Sequence, residues 1–151
     1  MTAPSDTELV LSRAFAAPRT LVFEAFTRPE LLRRWYGARG WQLVVCEVDL
    51  RPGGVWRFVS QGPDGAEMGH GGVYLDVEAP GRLVQTETYD GWDAGAALVT
   101  TAFEEREGRT AMTATVRYPS REARDSVLRT PMERGAGEAY DRLAELLAET
   151  P

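Results

Sequence analysis

Apolar and polar residues alternate through the middle of the chain with the period of two that marks β-strands. The pattern is clearest over 110–118. There Met112, Ala114, Val116 and Tyr118 share one face, and Thr113, Thr115 and Arg117 share the other. Such a segment reads as a half-buried antiparallel strand. The preceding segment, 96–106, places Ala97, Val99, Thr101 and Phe103 together. The same reading predicts strands over 41–50, 54–61, 68–78 and 82–90. Tight-turn signatures separate them: Arg51-Pro52-Gly53-Gly54, Gly62-Pro63-Asp64-Gly65, Ala79-Pro80-Gly81, Asp90-Gly91 and Glu107-Gly108-Arg109. Connections this short force antiparallel neighbours, so the segments form a meander. Gly53-Gly54 is expected to supply a positive φ or a bulge.

One more strand is predicted before the meander, over 8–15, with Leu9, Leu11 and Phe15 among its apolar positions. The period then changes to that of a helix. Pro18 suits a first helical turn, and Leu21, Val22, Phe23 and Phe26 form a broad apolar face. Pro29 breaks this helix and starts a second, short one with Leu31, Leu32 and Trp35 turned inward. After the meander, Ser120 is placed to cap a brief helix over 121–128, and Pro131 opens a terminal helix. Its apolar stripe is Met132, Ala136, Ala139, Tyr140, Leu143, Leu146 and Leu147; Glu133, Glu138, Asp141, Arg142 and Glu145 take the wet side. The order predicts an α+β fold, with a seven-stranded antiparallel sheet wrapped around the long C-terminal helix. A sheet wrapped in this way leaves a cavity between itself and the helix. With no repeat, low-complexity tract or linker, the 151 residues are expected to form a single domain with its core over about 9–148.

Composition narrows the function classes. Net charge is −6 and every one of the 17 basic residues is arginine, so no lysine side chain is available for Schiff-base catalysis. The arginines are scattered, and a nucleic-acid partner would need a clustered basic face. The first residues, Met1-Thr2-Ala3-Pro4-Ser5-Asp6, carry neither the basic nor the apolar region of a signal peptide. No apolar run approaches the ~20 residues of a membrane span. A single cysteine, Cys46, permits no internal disulfide. Together these predict a cytoplasmic protein with neither nucleic-acid nor membrane partners.

Few residues have the chemistry for a reaction. His70 is the only histidine, so a nucleophilic relay or a histidine-based metal site would need it. Lying between Gly69 and Gly71 near a turn, it reads as a satisfied or exposed strand residue in preference to a pocket group. Cys46, in mid-strand, reads as a small hydrophobe with no base beside it. One Cys and one His make zinc improbable, and neither metal nor cofactor is expected. Among the carboxylates Asp49, Asp76, Glu78, Glu87 and Asp90, two in one apolar cavity would be driven apart in pKa and could act as acid and base. Glu87 shares a strand face with Tyr89, and Thr86 shares the other with Thr88. Alternation does not choose between these faces. A solvated outer face is the leading expectation for the carboxylates; an inward Glu87 would make recognition or acid/base work available.

Four stretches carry a family resemblance: Phe15-Ala16-Ala17-Pro18 with Val22-Phe23-Glu24-Ala25-Phe26-Thr27; Pro29-Glu30-Leu31 leading to Arg34-Trp35; Asp49-Leu50-Arg51-Pro52-Gly53-Gly54 with Trp56-Arg57; and Asp141-Arg142-Leu143-Ala144-Glu145-Leu146-Leu147. On these the chain resembles the START-like superfamily of helix-grip proteins, over about Leu9 to Ala148. Within it, the chain is similar to bacterial proteins like the C-terminal domain of the activator of the ninety-kilodalton heat-shock protein ATPase. Relatives are often labelled polyketide cyclase-like. The resemblance implies the helix-grip fold, no shared catalytic residues, and a role in binding a small, mostly apolar molecule. Many relatives carry a Trp in the first turn of the terminal helix; Gly135-Ala136-Gly137 here would open that side of the pocket.

Resemblance and alternation together nominate a cavity lining. From the sheet come Trp56, Phe58, Tyr74, Glu87, Tyr89, Val99, Thr101, Phe103, Met112, Ala114 and Tyr118; from the helix come Met132, Ala136 and Tyr140. Apolar walls with a few polar groups suit a small-molecule site. The leading expectation is therefore non-catalytic binding of a small hydrophobic or aromatic molecule. A cyclase or other proton-transfer enzyme using the same cavity is the alternative, and a co-chaperone-like interaction module ranks third. Pairing of edge strands into a homodimer is possible on the sequence.

Overall fold

A computed structural model describes residues 1–149. Its strands are β1 (Thr2–Ser5), β2 (Glu8–Phe15), β3 (Gln42–Val48), β4 (Val55–Gln61), β5 (Glu67–Glu78), β6 (Arg82–Tyr89), β7 (Ala97–Arg106) and β8 (Arg109–Arg117). The helices are α1 (Arg19–Thr27), α2 (Pro29–Trp35), α3 (Arg121–Leu128) and α4 (Met132–Ala148). All strands join one antiparallel sheet in the order β1-β2-β8-β7-β6-β5-β4-β3. This is the α+β helix-grip arrangement, with eight strands where seven were predicted. The extra strand, β1, folds back on β2 through Thr2↔Val10 and Ser5↔Glu8, and all four of its residues are exposed. A strand that pairs its backbone without burying a side chain leaves no hydrophobic alternation to read.

The two prolines set the helical break. Pro18 is extended, and its carbonyl accepts from the Leu21 and Val22 amides to begin α1. Arg28 is extended before Pro29, as a residue preceding proline prefers, so α1 stops and α2 starts within one residue. Trp35 ties the pair together: it is buried, and its indole Nε1 donates to the Ala25 carbonyl at 2.8 Å. The β3–β4 turn requires glycine twice. Gly53 has φ +83°, and a Cβ at Gly54 would stand 1.9 Å from the Asp49 carbonyl oxygen.

The core fills the space between the inner face of the sheet, α4 and the α1–α2 pair. Ala139, Leu143, Leu146 and Leu147 of α4 meet Phe15, Trp56, Phe58, Phe103 and Met112 from the sheet, with Phe23 and Trp35 closing one end. A smaller cluster of Leu11, Ala97 and Val116 packs against Val99, Tyr118, Met132, Ala136 and Tyr140. Arg142 departs from the wet side expected of it. Its guanidinium faces the carbonyls that follow α2, nearest Gly37 at 2.9 Å and Trp41 at 3.1 Å. The end of a short helix leaves carbonyls without partners, and this cation reaches across from α4 to supply one.

Candidate functional site

Register builds the site. Cys46 of β3 faces Phe58 of β4, Phe58 faces His70 of β5, and His70 faces Tyr89 of β6, one row across four strands. His70 is 1% exposed, deeper than its position between two glycines suggested. Its ring lies flat on Tyr89, with centroids 4.6 Å apart and planes at 15°, and meets Trp56 and Phe58 edge-on at 5.3 and 5.7 Å. Tyr36, just beyond α2, stacks on it at 5.8 Å and places its hydroxyl 2.9 Å from His70 Nε2. Nδ1, the other ring nitrogen, is buried with no hydrogen-bond partner among the described residues. Whichever tautomer the Tyr36 hydroxyl selects, one ring nitrogen is unsatisfied. Burial, helped by the Arg57 charge, lowers the His70 pKa to about 4, so the ring is neutral near pH 7.

Glu87 lies beside this ring, on the inward face of β6 that it shares with Tyr89. Its carboxylate is 3.9 Å from His70 Nε2 and 18% of its side-chain surface remains accessible. Among the described residues it accepts no hydrogen bond and meets no arginine. Burial raises its pKa to about 7. The other carboxylates singled out from the sequence behave differently. Asp49, Asp76, Glu78 and Asp90 are half-exposed and pair with Arg51, Arg82 and Arg57. The solvated outer surface expected of the group therefore holds for these four and not for Glu87. Around Glu87 the tyrosines Tyr36, Tyr89, Tyr118 and Tyr140 all have raised pKa values, first from burial and then from neighbouring negative charge. Tyr140 reaches about 12.

Glu87 opens onto a narrow cleft of about 20 Å³, bounded by Tyr89, Trp92, Tyr118, Ala123 and Val127. That is room for about one water molecule. A larger hollow of about 290 Å³ lies elsewhere, between Met1, Leu128, Pro131 and Met132. Among the described residues it presents as charges the Met1 amine, paired with an exposed Glu133, and Arg134, and so offers little chemistry. Among the described residues no group of three or more His, Cys, Asp or Glu is arranged to hold a metal. No helix there is long and apolar enough to cross a membrane.

The nominated residues divide by location. Glu87, Tyr89 and Tyr118 come together at the cleft. Trp56 and Phe58 wall in His70 one layer deeper, and Trp56 Nε1 donates to the Thr86 carbonyl at 3.0 Å. Tyr74, Phe103, Met112 and Ala114 are packed in the main core, and Thr101 is buried. Val99, Met132, Ala136 and Tyr140 pack on the smaller cluster under α4. Three residues of the site were not chosen: His70 and Tyr36 at its centre and Trp92 at its mouth. For His70 a signal existed, since it shares strand parity with Tyr74. Tyr36 follows a helix end and Trp92 sits in a turn, where neither period applies.

The sequence pattern of the family described as "Activator of Hsp90 ATPase homolog 1-like protein" matches residues 16–148. No curated protein matches the sequence. Among solved structures, a protein of Rhodobacter sphaeroides is 37% identical, with 99% of this chain and 98% of that one covered and a TM-score of 0.91. A protein of Nitrosomonas europaea is 28% identical over 97% of each chain, with a TM-score of 0.87. An Hsp90 activator of Plasmodium falciparum is 23% identical over 74% of this chain and 73% of its own, with a TM-score of 0.59, a likeness of fold alone. With the family pattern spanning nearly the whole helix-grip unit, from the segment before α1 to the end of α4, the chain belongs to the family of proteins like the activator of Hsp90 ATPase homologue 1.

Proposed function

We propose that the protein binds a small, largely apolar or aromatic molecule on the inner face of the sheet beside α3, with Glu87 orienting it. The observation that carries this reading is Glu87 itself, a half-buried carboxyl that has no hydrogen-bond donor among the described residues and opens onto a cleft walled by aromatic rings. Taking most of the water from such a group without giving it a protein partner is unfavourable. A core maintained for stability alone gains nothing from it, whereas a ligand group can satisfy it. The unpartnered Nδ1 of His70 beneath Tyr89 supports the same reading. Because the cleft holds about 20 Å³, the bound form is reached by displacing Trp92, which is 41% exposed at the mouth. A ring burying ~200 Å² of apolar surface contributes roughly 5 kcal/mol towards this.

The test is a thermal-shift screen against aromatic, polyketide-like and fatty compounds. A ligand at 100 times its Kd adds ~2.7 kcal/mol, or about 5–10 °C in Tm for a domain of this size. A shift that shrinks in Glu87→Gln is expected. No shift from any compound class would remove the reading and direct the search to a protein partner, as for a co-chaperone-like module.

A second reading, proton transfer, is favoured by one observation: a carboxyl held near pKa 7 with a neutral imidazole nitrogen 3.9 Å away. A general base works best when its pKa lies near the operating pH. Any compound found in the screen should then exchange an acidic C–H in D2O faster with the wild-type protein than with Glu87→Gln. Equal exchange with both proteins rules this reading out.

A further inference from the structure

We propose that the cleft beside Glu87 takes an organic cation: a quaternary or protonated ammonium on an aromatic or aliphatic body, held by the Glu87 carboxylate and the rings of Tyr89, Trp92 and Tyr118. The inference rests on the ligand-binding reading and names its chemical class.

Charge leads to it first. Among the described residues Glu87 is the one charged residue bounding the cleft. The arginines closest to the surrounding groups are already committed: Arg57 makes two bonds to Asp90, at 2.7 and 2.6 Å, and Arg13 bonds Asp141 at 2.6 Å. The remaining neighbour is His70, and its imidazole is neutral at physiological pH. An anionic ligand would meet Glu87 with no cation to receive it, in a chain of net charge −6. A neutral ligand without an O–H or N–H would leave the carboxylate unpaired, and one with a donor would not balance its charge. A metal ion would need several oxygen ligands and finds one carboxylate here.

The walls point the same way. Tyr89 and Trp92 have ring centroids 6.2 Å apart with planes inclined at 46°, and Tyr118 bounds the same cleft. Electron-rich rings around a site for positive charge attract it through their quadrupoles, most strongly where water is excluded. Ala123 and Val127 of α3 complete the wall with small apolar side chains that fit the methyl groups of an ammonium. Entry has a hinge. Trp92 rides on the turn between Gly91, at φ +80°, and Gly95, at φ +94°, two positions where glycine tolerates the backbone change needed to swing the indole aside.

Titration supplies a signature. The groups facing Glu87 are His70 from β5, Tyr89 from its own strand, Tyr118 after β8, Tyr140 from α4 and Tyr36 after α2. Arg57 of β4 and Arg13 of β2 act on His70 and Tyr140 in turn. The tyrosines stay neutral across the usable range, so Glu87 alone changes charge near pH 7. A cation prefers the ionised carboxylate; its affinity should fall about tenfold from pH 8 to pH 6.

The experiment titrates the full chain calorimetrically with three probes: benzyltrimethylammonium, whose charge does not depend on pH; neopentylbenzene, its neutral carbon isostere; and benzoate. At pH 8 the ammonium is expected to bind at least tenfold more tightly than the isostere, and to weaken about tenfold at pH 6. Glu87→Gln should abolish both the preference and the pH slope while leaving neopentylbenzene binding intact. Trp92→Ala, a change at a half-exposed site, should weaken the ammonium several-fold. If neopentylbenzene or benzoate binds as tightly as the ammonium, the ligand-binding reading stands and the cation proposal falls. If none of the three binds at either pH, the cation proposal falls, and the thermal-shift screen decides the ligand-binding reading separately.

Discussion

Glu87 and His70 carry opposite pH dependences that meet in one contact. Glu87 has its folded pKa raised from 4.5 to about 7, so the folded state favours the neutral acid. Its penalty is full above pH 7 and is relieved as pH falls towards 4.5. His70 has its folded pKa lowered from 6.5 to about 4, so the folded state favours the neutral ring. Its contribution is present above pH 6.5 and is lost as pH falls through 4. Each displacement amounts to about 3 kcal/mol once the disfavoured form is imposed. Between pH 7 and pH 4 the two nearly cancel in the wild-type protein. Glu87→Gln should therefore stabilise by up to about 3 kcal/mol at pH 8 and by little at pH 5, in urea unfolding at the two values. His70→Phe keeps the stacking on Tyr89 and should instead gain at pH 4.5 relative to pH 7. A Glu87→Gln protein with the same advantage at both pH values would show that the carboxyl is not held protonated by the fold.

At the scale of elements, the site depends on how α4 grips the segment after α2. That segment presents Tyr36 to His70, and Arg142 faces the carbonyls of Arg34, Tyr36, Gly37, Ala38 and Trp41 around its turn. Removing the guanidinium takes the donor from the part-buried carbonyls of Tyr36, Gly37 and Trp41, at about 1–3 kcal/mol, whereas Ala38 keeps the Trp41 amide. Arg142→Met, which keeps the aliphatic stem, should cost about 2 kcal/mol and speed amide exchange over residues 36–41. Unchanged exchange there would assign the positioning of Tyr36 to packing alone. Such a loss should also be felt at the ligand site, because among the described residues Tyr36 is the hydrogen-bond partner of the His70 ring.

For the whole molecule, chain ends and middle share one core. Phe15 of β2 packs edge-on against Tyr140 of α4 at 6.3 Å, and both adjoin residues from α2 and β8. We expect one cooperative unfolding transition, with far-UV circular dichroism and tryptophan fluorescence giving the same midpoint. Two separated midpoints would divide the chain into independent units. The surface arginine pairs, such as Arg82 with Asp76 and Glu78, contribute little individually, since exposed ion pairs are worth about 0–1 kcal/mol. Of the two sheet edges, β1 is four residues long, and a register shift between Leu43 and Val45 interrupts the ladder of β3. Both features limit the edge pairing that a homodimer through the sheet would use.

The chain's own periodicity determined the order and kind of nearly every element: β2, the Pro29 break between α1 and α2, the six-strand meander and the stripe of α4. These were legible because each rests on residues within one element, where alternation, a 3.6 period or a proline acts locally. Tertiary structure alone decided the rest. β1 pairs without burying anything, so it has no pattern. β6 carries polar residues on both faces, and Leu83 and Glu87 turn inward only because β5 and β7 are placed around them. Arg142 lies on the polar side of its helix, yet the turn after α2 brings backbone carbonyls to meet it. Tyr36 and His70 are 34 residues apart and become partners through the register of β4 with β5 and the seat of α2. A buried charge or an unsatisfied nitrogen arises where several elements converge, and no single element's sequence holds that information.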